Sequence, residues 1–245
     1  MSSAPASRST DAPLPSRVDR RSAFALLYVA VVLCVLEYGF LPFRVEARLQ
    51  GLPYGALPAP SLQAGVTWAA VTSLLFLVVP LGIVLFAHRE APASIGWRSR
   101  GFLRHLGVYL VLFLAMVPAV LFAASRKDFS ATYPFVPAAR SDLQTFLIWE
   151  ACYLAQFWAL EAFFRGYLLF TLERVVGRLA VFVMVVPYCM IHFHKPMLEA
   201  LGAVAAGVIL GLLALRYRSW YGGAVLHSLV AVTMDALAVH SAGLF

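Results

Sequence analysis

Seven long apolar runs fill most of this chain, near residues 23–43, 65–87, 105–125, 143–172, 178–194, 199–216 and 220–240. Wound as helices, runs of about 18–25 apolar residues match the thickness of a bilayer's hydrocarbon core. Backbone N–H and C=O groups inside that core find no water, so each span must satisfy them internally, and a helix does so. Composition agrees: 62% of the 245 residues are hydrophobic and only 13% are charged. A soluble domain is about half apolar and about a quarter charged. The expectation is an all-α, polytopic transmembrane helix bundle of about seven spans, integral to the membrane and in contact with its lipid.

Residues 1–22 are rich in Ser, Pro, Ala and Arg and hold no apolar core. They read as a disordered cytoplasmic tail rather than a cleaved signal peptide. Residues 23–245 then form one membrane-embedded domain. With the N-terminus inside, the inner segments hold twelve Lys and Arg and the outer segments six, which favours that orientation. The same spread explains the net charge of +7 without nucleic acid as a partner. Cys34, Cys152 and Cys189 fall in apolar runs and read as small buried hydrophobes without a disulfide. Pro80, Pro118 and Pro187 lie inside spans and should kink them or free carbonyls. The fourth run exceeds a bilayer's need and should tilt or project. The basic, aromatic stretch 93–104 suits either an interfacial amphipathic segment or an ordinary loop. Gly207 and Gly211 form a G-x-x-x-G pattern, read as close packing within the bundle.

Against that background, ionisable residues at membrane depth stand out, because they are costly there. Glu161 and Arg165 lie four apart on one helix face. A salt bridge that neutralises both is the plain structural reading, and a catalytic pair is the functional one. Glu150, eleven residues before Glu161, returns to nearly the same face. His192 follows Pro187 and Tyr188 near the end of the fifth run, and His194 beside it reads as interfacial. Glu199 shares a face with His192 only if one helix runs through Pro196. His227 sits well inside the last run, where an imidazole wants a partner or a task. Asp235, about 80° round the helix from it, could orient it only loosely.

The segments Glu161-Ala162-Phe163-Phe164-Arg165-Gly166 and Tyr188-Cys189-Met190-Ile191-His192, followed by His227 in a late span, resemble the CPBP family. These are CAAX-type and bacteriocin-processing (Abi-like) intramembrane endopeptidases, including the type II CAAX prenyl endopeptidases. The family pattern is Glu-Glu-x-x-x-Arg, then Phe-x-x-x-His, then His-x-x-x-Asn or a near relative. The resemblance covers roughly residues 143–240. The chain departs from it at Leu160, in place of the first Glu, at Tyr188, in place of Phe, and at Ala231, in place of Asn.

The resemblance implies a CAAX-type intramembrane protease core. It implies an endopeptidase acting on a membrane-associated protein or peptide, either lipidated or bearing a C-terminal sorting signal. The family's first Glu is usually taken as the water-activating base. Leu160 therefore leaves two readings open: Glu161 has taken over that role, or the chain is a non-catalytic relative such as an immunity or assembly factor. On the catalytic reading, Glu161 activates water, His192 and His227 assist, and Arg165 fixes Glu161. No cofactor is then needed. The alternative is zinc held by Glu161, His192 and His227, a ligand set found in hydrolytic sites.

Overall fold

The computed structural model describes residues 19–241. Its elements are α1 (Arg20–Phe40), α2 (Pro42–Leu49), α3 (Leu62–Ala87), α4 (Phe102–Ala124) and α5 (Lys127–Thr132), then α6, which covers 143–176, α7 (Leu179–Met190), α8 (Met197–Tyr217) and α9 (Tyr221–Ser241). There is no strand among the described residues. The chain is an integral, multi-pass membrane protein with an all-α bundle. Its outer faces carry exposed Leu27, Val31, Phe86 and Leu103, the side chains a hydrocarbon solvent tolerates.

Local chemistry sets the boundaries. The Asp19 carboxylate caps α1 by accepting from the Ser22 N–H at 2.8 Å, so 20–22 join the first helix. Most of the predicted tail lies outside the described residues. Ser61 caps α3 in the same way. Around Pro80, which cannot donate, α3 widens into π-helical turns at Leu74–Val78 and Ile83–Ala87. Pro118 and Pro187 stay within helices.

Five helices, α1, α3, α4, α8 and α9, are long and apolar enough to cross a membrane. Helix α7 has twelve residues, about 18 Å of helix, and falls short of a hydrocarbon core about 30 Å thick. The predicted span 178–194 therefore ends early, in the turn that holds His192. The long fourth run is buried in its middle and exposed at both ends. From Ala159 to Leu172 every residue of α6 is buried, and its Phe163 stacks on Phe76 of α3 at 4.7 Å between ring centroids.

Gly207 and Gly211 pack inside the bundle: a Cβ at either would lie 2.9 Å from a valine methyl of α7. All three cysteines are free, and Cys34 is exposed rather than buried. The stretch 93–104 is a short 3-10 turn ending at Ile95, a loop, and the first residues of α4. Ile95 in it is buried, and Trp97 packs edge-on against Trp220 at 5.3 Å.

Candidate active site

Helix α6 changes its winding where the chemistry sits. It runs as an α-helix over Leu143–Glu161, widens into a π-helical stretch over Ala162–Leu168, and resumes over Leu169–Val176. Such wide turns cluster at functional sites because they re-aim side chains and spare some backbone bonds. Glu161 closes the regular part and Arg165 lies in the wide part. Both are 0% exposed.

The Glu161 carboxylate is held from two elements. Arg165 Nη1 lies 3.0 Å from Oε1. His227 Nδ1, on α9, lies 3.1 Å from the same oxygen. Oε2 has no hydrogen-bond partner. The backbone of α9 comes so close that a Cβ on Gly223 would lie 2.6 Å from Oε2. Behind the ion pair, the Arg165 guanidinium stacks on Tyr188 of α7, with Cζ 3.7 Å from the ring centroid. A buried charge pair is costly to desolvate and holds only with good geometry, and the aromatic face supplies further attraction for the cation.

His192 sits one turn beyond Tyr188, and its Nδ1 lies 3.0 Å from the Tyr188 carbonyl oxygen. A carbonyl only accepts, so His192 carries its proton on Nδ1 and keeps the lone pair on Nε2. The same argument applies to His227, whose Nδ1 faces the carboxylate oxygen Oε1 of Glu161. Both neutral imidazoles thus offer Nε2 as an acceptor, which suits holding a water better than stabilising an oxyanion.

A cavity of about 870 Å³ lies between α1, α3, α6 and α7. It is lined mostly by apolar side chains, with Glu37, Thr72, Gln156, His192, His194 and Lys195 among them, and reaches Leu160 and Phe157. The Phe157 ring lines this cavity and packs, tilted, against the His227 ring at 4.3 Å between centroids.

Thus Glu161, Arg165 and His227 meet, and His192 joins them through Tyr188. The other polar residues go elsewhere. Asp235 does not orient His227: it accepts from Trp149 Nε1 at 2.8 Å and interacts with Glu150. Glu150 therefore belongs to this second buried group and not to the Glu161 site. Glu199 is separated from His192 because α8 starts afresh after Pro196. Its carboxylate takes Lys195 Nζ at 2.6 Å and the Tyr133 hydroxyl at 2.6 Å. His194 is exposed and pairs with Glu37 at 2.7 Å. Sequence spacing missed the Trp149–Asp235 contact, which links two helices 86 residues apart; a tryptophan one residue before a buried Glu was the one available signal. Among the described residues, no three His, Cys, Asp or Glu side chains are grouped to hold a metal ion.

Residues 142–233 match the family model described as Type II CAAX prenyl endopeptidase Rce1-like. This stretch, well under half of the chain, contains Glu161, Arg165, Tyr188, His192 and His227 and is similar to that family. Comparison with the curated proteins and with the solved structures gave no match.

Proposed function

We propose that the chain is a glutamate-dependent intramembrane endopeptidase that cuts a peptide bond in a membrane-associated protein or peptide. One observation carries the reading. A wholly buried carboxylate is fixed on one oxygen by Arg165 and His227, and its other oxygen is unpartnered.

Oε2 of Glu161 takes a proton from water, and the hydroxide attacks the carbonyl carbon of the scissile amide. The proton then passes to the leaving nitrogen as the C–N bond breaks, so the carboxylate is restored. His192 and His227 hold the water through Nε2. Arg165 holds Glu161 in place. A side chain with the right base geometry supplies about 10²–10⁴-fold of such a rate. The carboxylate and imidazoles, rather than a metal, hold the water, since Oε1 is already taken by Arg165 and His227. The substrate carries either a lipid anchor or a C-terminal sorting signal.

The test is a comparison of membrane proteins from a deletion strain and from the same strain complemented with the chain, with termini mapped by mass spectrometry. A protein truncated only in the complemented strain supports the reading. Identical termini in both strains, with the chain present and folded, leave it a non-catalytic relative.

A further inference from the structure

The floor of the large cavity carries two buried polar side chains. Gln156 of α6 and Thr72 of α3 are 5% and 2% exposed, and both line the cavity. Gln156 Nε2 lies 3.3 Å from Thr72 Oγ1, and Gln156 Oε1 has no partner. The threonine hydroxyl can donate or accept, so either orientation of the amide leaves one of its ends unpaired. Gln156 lies one turn before Leu160 and next to Phe157, the ring that packs against His227.

An unpaired amide in an apolar wall is unfavourable unless something completes it. A hydrocarbon chain cannot. A peptide segment unwound for cleavage can, because its own N–H and C=O groups have lost their helical partners and find no water in a membrane. The two needs are complementary. The cavity's side walls on α1 and α7 include the exposed residues Leu26 and Val186, so such a segment reaches the floor from the lipid.

Resting on the protease reading above, we propose that Gln156, tethered by Thr72, is a substrate-binding residue that hydrogen-bonds the main chain of an unwound peptide segment in this cavity. The occupant is peptide backbone, and side-chain identity at that point is secondary.

The test uses the full chain in lipid nanodiscs in a Glu161→Gln background, so binding is read without turnover. One probe is a fluorescein-labelled Leu/Ala peptide with a central Gly-Gly. The second is the same peptide with ester links at its central bonds, and the third is cis-parinaric acid. Gln156→Met should weaken the amide peptide about tenfold, the loss of one buried hydrogen bond, and leave parinaric acid unchanged. The ester peptide should bind the parent as weakly as the amide peptide binds Gln156→Met, and Gln156→Met should no longer distinguish ester from amide. Thr72→Val should give a smaller loss in the same direction, and it carries the test if Gln156→Met does not fold. Equal peptide binding in parent and variants, no peptide binding to the parent, or a matching loss for parinaric acid would each overturn the proposal. Identical protein termini in the deletion and complemented strains would sink the protease reading alone and leave this binding result readable.

Discussion

Gly223→Ala adds one methyl group at the tightest point of the site. The new Cβ would lie 2.6 Å from Oε2 of Glu161 and 3.4 Å from its Cδ. Ordinary carbon–oxygen contacts begin at about 3.3 Å, so the carboxylate or α9 must move by about 0.7 Å. That movement has nowhere cheap to go. Oε1 is held by Arg165 at 3.0 Å and by His227 at 3.1 Å, and Leu210 Cδ1 would lie 3.9 Å from the same added Cβ. Overpacking of this kind costs about 1–3 kcal/mol of stability. A misplacement approaching 1 Å costs about 10²-fold in rate. The assay is thermal melting in detergent, together with substrate processing in a complemented deletion strain. Gly202→Ala on α8 is the control, because nothing lies within 4 Å of its added Cβ. It should stabilise by up to about 1 kcal/mol through helix propensity and leave processing intact. An unchanged melt and full processing in Gly223→Ala would refute the packing argument.

Arg165→Met should cost about 3–5 kcal/mol in detergent melts by stranding the Glu161 charge, and adding Glu161→Gln should restore part of that loss. Trp149→Phe should cost about 1–3 kcal/mol by leaving Asp235 without its donor; an unchanged melt would show that this contact carries no weight. Outside the spans, Arg174 and, more weakly, Ser94 and Arg21 hold the Glu90 carboxyl down at about 2. A depressed carboxylate stabilises the fold above its ordinary value and loses that contribution as pH falls. The melt should therefore decline from near pH 4.5 toward about pH 2, and Glu90→Gln should remove that part of the slope.

Much of this architecture is written in hydropathy alone, because the bilayer sets helix length and the apolar runs meet it. Glu161, Arg165 and His227 were legible for a related reason: a charge at membrane depth has to be explained. The sequence could not show that α7 stops after twelve residues, since its apolar run continues through the turn at His192. Nor could it show the destinations of Glu150 and Asp235. Helical spacing put Glu150 on the Glu161 face, but the contact with Trp149 and Asp235 depends on how α6 and α9 cross, and periodicity within one helix does not contain that. The large cavity is likewise a property of three-dimensional packing among four helices.

The central claim is that Glu161 activates water at a buried carboxylate held by Arg165 and His227. The most direct measurement is turnover by the purified chain in nanodiscs, after exhaustive chelation, on the substrate mapped in the deletion strain, for the parent and for Glu161→Gln. The account predicts that the chelated parent cuts at the mapped bond while Glu161→Gln, folded and with an unchanged elution profile, does not. Full turnover by Glu161→Gln, or loss of parent activity on chelation with recovery on adding stoichiometric zinc, would contradict it.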